Sequence, residues 1–262
     1  MTIRVGVFGA GGRMGSTVCH AVAEDPDLEL VAAVDPFHSG LDMHQVAKLD
    51  VDLRLAKGPE TFLDSEVSVA VDFTQVGAAR DNLLWLARHG VHAVVGTTGF
   101  TEDDYAAFDA AFTRSNCVIA PNFAIGAVLM MRFAELAAPY FESAEIIELH
   151  HEQKIDSPSG TAMLTLERMA AASDEWAPDP TTTQLVPGAR GGKGPAGIPV
   201  HSVRLRGMVA HQEVLLGTTG QSLTIRHDSY DRTSFMPGVL LAVKAVADRP
   251  GVTVGLDALL GL

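Results

Sequence analysis

Only two cysteines occur among 262 residues, Cys19 and Cys117. They form neither a disulfide framework nor a metal-ligand spacing, and a reducing, cytoplasmic home fits them best. Basic residues are also scarce, with 19 Lys and Arg against 32 Asp and Glu, a formal charge of −13. Nucleic acids and anionic membranes are recognised through basic patches, so no nucleic acid and no membrane is expected as a partner. No apolar run reaches the length of a bilayer span, because the stretch 83–96 is interrupted by Arg88 and His89. No secretory leader is expected either, since Ile3-Arg4-Val5-Gly6-Val7 already reads as a strand. His151-Glu152 is not followed by a second His four residues on, so no metal site of the His-Glu-x-x-His kind is expected.

What remains is an ordinary globular composition, 47% hydrophobic and 19% charged. The length allows two modest domains, or one large domain with an insertion. The shortage of cations makes a local demand. An anionic ligand must gather basic side chains and amides against an unfavourable overall field, which draws attention to Arg13, Lys154, Arg190 and Lys193.

Near the N-terminus an apolar, β-rich run leads into Gly9-Ala10-Gly11-Gly12-Arg13-Met14-Gly15 and then a helical stretch, 16–23. Strand, glycine turn and helix in series let a backbone approach a pyrophosphate at a helix N-terminus. The spacing is G-x-x-G-x-x-G rather than the strict G-x-G-x-x-G, and a plain turn is the alternative. A second strand, 28–34, ends in Asp35, about twenty residues on, where an acid receives adenosine ribose hydroxyls. Asp35 would repel a 2′-phosphate, which favours NADH, while Arg13 leaves NADPH open. A solvated strand-end acid is the other way to read Asp35.

Three further strands follow, 67–74, 91–96 and 116–120, with helices around 83–87 and 105–114. Alternation of this kind predicts a parallel sheet with ligands at the strand carboxyl ends. Asp72-Phe73-Thr74, Gly96-Thr97-Thr98 and Ala120-Pro121-Asn122-Phe123 all occupy such ends. An apolar helix is expected over 125–140. The Pro/Gly/Thr-rich segment 173–199 lacks periodicity and reads as a long loop, a lid or an excursion, whose Arg190 and Lys193 either reach an anionic substrate or, on the preferred reading, stand as solvated charges. Runs 200–206, 211–216 and 222–227 suggest an antiparallel meander, with an open face that pairing between subunits could cover. The helix from Pro237 returns to the first domain.

The densest chemistry lies in Glu148-Leu149-His150-His151-Glu152-Gln153-Lys154-Ile155-Asp156-Ser157-Pro158-Ser159-Gly160-Thr161. A β-type run, 145–150, precedes it, and a helix entered through Pro158 and a capping Ser or Thr follows. Strand end, polar loop and helix N-terminus together make an anion-binding arrangement with His and Lys at hand to move protons. In an extended strand His150 and Lys154 would stand roughly 13 Å apart, so the strand must end near His151 and the chain must bend. Surface decoration is the bland alternative for the His pair.

Taken with Val95-Gly96-Thr97-Thr98-Gly99 and Ala120-Pro121-Asn122-Phe123, these motifs make the sequence resemble the 4-hydroxy-tetrahydrodipicolinate reductase family over nearly its whole length, most closely its actinobacterial members. The resemblance implies an α/β protein: a Rossmann-like parallel-sheet dinucleotide-binding domain, 1–123 and 233–262, and an α+β substrate and tetramerisation domain, 124–232, with a mixed or antiparallel open sheet. It implies NAD(P)H-dependent reduction of a small cyclic dicarboxylate in the diaminopimelate route to lysine, by a homotetramer. His150 would exchange protons and Lys154 donate one. His151 with Gly160 and Thr161 would hold substrate carboxylates. Gly9, Ala10, Gly11, Gly12, Arg13, Met14, Asp35, Gly96, Thr97, Thr98, Ala120, Pro121, Asn122 and Phe123 would line the dinucleotide. Members often carry a further His where Gln153 stands, which puts the local proton network in question. Two rivals remain: a dehydrogenase of another small substrate, such as an amino acid, and a non-catalytic NAD(H) sensor.

Overall fold

Residues 2–261 are described by the structure, a computed structural model. The chain divides into two compact units, one from Met1–Phe123 and Phe235–Leu262, the other Ala124–Ser234.

In the first unit, β1 (Ile3–Phe8), α1 (Arg13–Glu24) and β2 (Leu28–Val34) are followed by two single-turn helices, α2 (Met43–Ala47) and α3 (Glu60–Asp64). Then come β3 (Val69–Asp72), α4 (Val76–His89), β4 (His92–Val95), α5 (Glu102–Ala111) and β5 (Cys117–Ile119). All pairings in this sheet are parallel, in the order β5-β4-β3-β1-β2 with a sixth, C-terminal strand outside β5. The strands bury both faces, so they read as continuous apolar runs: Val5, Val7, Ala70, Val71, Ala93, Val94 and Val95 are fully inaccessible. The strand order reverses at β1, the switch point where such sheets take ligands. The C-terminal segment completes this unit with α8 (Met236–Ala245), β11 (Val252–Val254) and α9 (Asp257–Leu260). The sixth strand, β11, pairs with β5 and was not foreseen, because three residues are too few to show a period.

The second unit opens with α6 (Ile125–Ala137), then β6 (Ser143–His150) and α7 (Gly160–Ala172). It continues through β7 (Gly192–Lys193), β8 (Pro199–Arg204), β9 (Ala210–Thr218) and β10 (Gln221–Ser229). Its sheet runs β10-β9-β6-β8-β7 and is mixed, since β8 pairs parallel to β6 while β9, β10 and β7 pair antiparallel. The antiparallel meander is therefore corrected. β9 and β10 do form a hairpin, but β6 lies between β8 and β9. The segment 173–199 is not wholly loop either: its end is tied to β8 by β7, with a 3₁₀ turn at Pro195–Gly197.

Candidate active site

In the first unit the parallel register sets Phe8 beside Asp72, Asp72 beside Val95, and Val95 beside Ile119. Gly9, Thr74, Gly96 and Ala120 thus leave the sheet along one edge. Gly9 adopts φ +63°, and its carbonyl accepts the Gly12 N–H at 2.9 Å, closing the glycine turn. Gly12 precedes α1 with no side-chain cap, so the turn delivers backbone N–H groups at a positive helix end. A Cβ on Gly15 would stand 2.0 Å from the Gly9 carbonyl oxygen; only glycine lets helix and turn pack this closely. Gly12 and Arg13 are exposed, Ala10 and Gly15 buried.

Asp35 is not a solvated acid. It is only 5% exposed, and its carboxylate accepts the N–H groups of Gly11 and Phe37, both at 3.0 Å. His38 Nδ1 lies 3.2 Å from the same carboxylate. Thr97 is buried and donates to the Thr74 carbonyl at 2.8 Å, whereas Thr98 and Pro121 are exposed. Gly96 owes its identity to packing, for a Cβ there would run into the Phe73 ring, which itself lies 5.8 Å from the Phe123 ring. Beneath them Asp72 accepts from the Thr74 N–H, the Thr74 hydroxyl and the Asn82 amide, all at 2.7 Å. Burial pushes the Asp72 pKa up. An uncapped helix end, a glycine turn and a buried ribose-height carboxylate together fit a dinucleotide.

In the second unit β6 ends at His150, and a turn closed by the Lys154 N–H on the His151 carbonyl (3.2 Å) bends the chain at the expected place. Ser159 caps α7 by accepting the Ala162 N–H at 3.2 Å, which sets Gly160 and Thr161 in the first helical turn. The centre of the arrangement is Glu148, wholly inaccessible on the face of β6 that also buries Ala144 and Ile146. A carboxylate there costs several kcal/mol unless it is paired. It is paired by several donors. Arg204 grips both oxygens (2.8 and 2.9 Å), the His150 Nδ1–H donates at 2.6 Å, and the Ser159 N–H donates at 3.2 Å. Burial alone would raise the Glu148 pKa, but the bonds from His150, Arg204 and the Ser202 hydroxyl outweigh it and hold it at about 2. An ionised Glu148 only accepts, so the His150 Nδ1 carries hydrogen and Nε2 is the nitrogen left for chemistry.

The Lys154 ammonium lies 2.8 Å from each oxygen of Asp156, and its side chain is largely shielded. His151, Glu152 and Gln153 are exposed. Arg204 was not singled out from the sequence; besides Glu148 it donates to the carbonyls of Asp156 (2.7 Å) and Lys154 (3.3 Å). Arg190 and Lys193 do not join this cluster. They line clefts elsewhere in the unit, the larger about 750 Å³ and bounded by Ser143, Trp176 and Pro199. That cleft sits at the opening end of β6, and its charges satisfy one another: Arg190 pairs with Glu145 at 2.7 Å and Asp179 at 3.2 Å. The expectation of solvated loop charges therefore fails for Arg190 and holds for exposed Lys193. Among the described residues no cluster of His, Cys, Asp and Glu is arranged to hold a metal ion.

A dinucleotide-type parallel sheet, joined in one chain to a unit bearing a carboxylate-braced imidazole and an ammonium, defines a two-domain nicotinamide-dependent oxidoreductase. Comparison with known proteins agrees. Residues 3–123 match the family model for dihydrodipicolinate reductase, N-terminus, and residues 126–260 the model for its C-terminus. The chain is 52% identical over 267 residues to the 4-hydroxy-tetrahydrodipicolinate reductase of Cutibacterium acnes, covering 99% of each chain. It is also 52% identical over 271 residues to that of Nocardia farcinica, covering 100% of each. A dipicolinate-bound dihydrodipicolinate reductase from Paenisporosarcina sp. TG-14 superposes with a TM-score of 0.85 at 38% identity, covering 98% of this chain and 99% of that one. The chain belongs to the dihydrodipicolinate reductase family.

Proposed function

We propose that this chain reduces the cyclic imine derived from 4-hydroxy-tetrahydrodipicolinate to tetrahydrodipicolinate, in the diaminopimelate route to lysine. The full-length likeness to curated reductases supports the reaction. The observation that carries the chemistry is the Glu148–His150 pair beside the Lys154 loop at the N-terminal end of α7. When bound, the reduced nicotinamide supplies hydride to a ring carbon. The glycine turn, 9–14, holds the pyrophosphate with N–H groups at the α1 terminus, and Asp35 receives the adenosine ribose. Gly96, Thr97, Thr98, Ala120, Pro121, Asn122 and Phe123 line the same carboxyl edge. A carboxylate at the ribose repels a 2′-phosphate, so NADH is the preferred donor.

Lys154 and His150 divide the proton work. Negative charge develops toward the ring nitrogen, where the Lys154 ammonium stabilises it. His150 completes protonation from Nε2, its ring orientation fixed by Glu148 through Nδ1. His151 and the first-turn amides of Gly160 and Thr161 hold the substrate carboxylates, with the helix dipole favouring them. Dipicolinate, a planar diacid of similar outline bound by the Paenisporosarcina enzyme, is the natural competitor. The enzyme works in the cytoplasm as a homotetramer.

The test generates the unstable substrate in place with the preceding aldolase-type synthase and follows loss of nicotinamide absorbance. NADH should be consumed faster than NADPH at equal concentration, with dipicolinate inhibiting. Cofactor binding without consumption of either donor would overturn the proposal in favour of a sensor.

A further inference from the structure

We propose that Arg204 is a positioning residue for this reaction: gripped by Glu148, its guanidinium fixes both the His150 imidazole and the backbone that presents Lys154. The inference rests on the proton roles proposed for those two residues.

One planar fork makes every link. Nη1 and Nη2 donate to the two oxygens of Glu148, and Glu148 Oε2 is the oxygen that also accepts from His150. Nη2 and Nε reach on to the carbonyls of Asp156 and Lys154, on either side of Ile155. Ile155 is completely exposed, so its own side chain does nothing to anchor the loop, and the guanidinium holds the carbonyls on either side of it. Through the Ser159 N–H on Glu148 Oε1 the same pair reaches the start of α7. Strand β6, strand β8, the Lys154 loop and the carboxylate-binding helix end thus share a single ion pair. Lysine, with one nitrogen, cannot reproduce four directions.

Charge balance gives the pair a second role. Glu148 on β6 is the acid in contact with the imidazole and Arg204 on β8 pairs with it; the Lys154–Asp156 pair lies in the loop that follows, along with exposed His151 and Glu152, the latter facing Arg206. One acid is matched by one guanidinium. Loss of Arg204 leaves Glu148 uncompensated beside His150, favouring the protonated ring, whereas loss of the Glu148 charge does the reverse.

Three full-length variants test this, with kcat, KM, the pH–rate profile, NADH affinity by fluorescence and thermal midpoint measured for each. Arg204→Lys keeps the charge and loses the fork; kcat should fall about 10- to 100-fold, the scale of a small misplacement, with the pH profile unmoved. Arg204→Gln should lower kcat at least as far and shift the profile to higher pH. Glu148→Gln should shift it to lower pH. NADH affinity should stay unchanged in all three. A normal kcat in Arg204→Lys, or unmoved profiles in both Gln variants, would overturn the inference and leave a merely structural pair. Should Arg204→Gln fail to fold, Arg204→Lys and Glu148→Gln still decide. Full activity in Lys154→Ala and His150→Ala would instead sink the roles beneath it.

Discussion

Lys154 and Asp156 share a loop and grip each other, with the ammonium 2.8 Å from both carboxylate oxygens. Pairing with Lys154 holds the Asp156 pKa below the usual carboxylate range, so Asp156 is charged wherever the enzyme works. In the proposed reaction a dicarboxylate substrate would therefore compete with Asp156 for the ammonium. Lys154→Ala should lower kcat by about 10²–10⁴-fold, the worth of a positioned acid, while NADH affinity by fluorescence titration stays near that of the parent. Equal loss of both would mean that Lys154 only supports the fold. Glu148 carries a pH signature. Its carboxyl falls from an ordinary 4.5 to about 2 on folding, so its stabilising contribution is complete above the higher value and fades as pH drops toward the lower. The denaturation midpoint of Glu148→Gln should lie below the parent's near neutrality, and the gap should narrow as pH falls from about 4.5 toward about 2; a constant gap would count against the pairing. At this scale the sequence was half legible. Glu148 alternates with Ile146 and Ala144 on a strand, which signals a buried acid in need of a cation. Its partner sits 56 residues on, in a β-run where arginine reads as a solvated face.

Elements were more legible than their neighbours. Alternating strands and helices announced the parallel sheet, because only crossover helices join parallel strands compactly. A capping Ser or Thr before α7, found to be Ser159, and the bend after His150 followed from local chemistry that acts within a few residues. The β6–β8 pairing did not, since a period of two marks a strand without naming its partner. Nor did Asp35's bond to Gly11, which joins a strand end to a turn 24 residues earlier. The glycine turn offers the clearest element-level test. Gly15→Ala drives a methyl into the Gly9 carbonyl, and overpacking of about 1–3 kcal/mol must be relieved by moving turn or helix. NADH dissociation constants should rise about tenfold or more, readable by fluorescence. Unchanged affinity would show that the α1 terminus does not hold the pyrophosphate.

The whole molecule carries an open edge. β10 is nine residues long, Gln221–Thr224 are exposed throughout, and among the described residues no strand pairs with its outer side. Long bare edges invite pairing, and a second copy is the occupant that tetramerisation predicts. Sedimentation equilibrium should return four times the 27.7 kDa chain mass at micromolar concentration, and a monomer would remove the oligomeric part of the proposal. Each chain carries a formal charge of −13, so association should weaken at low salt if like charges face across the contact.

The chain leaves its first unit at Phe123 and comes back only at Phe235. During translation the second unit, a continuous stretch, has every strand available before α8 and β11 emerge from the ribosome. The earlier-made sheet meanwhile stands with β5 as an unfinished border. A released chain truncated after Ser234 should protect 124–234 from protease better than 1–123, so that the half made first is the half finished last.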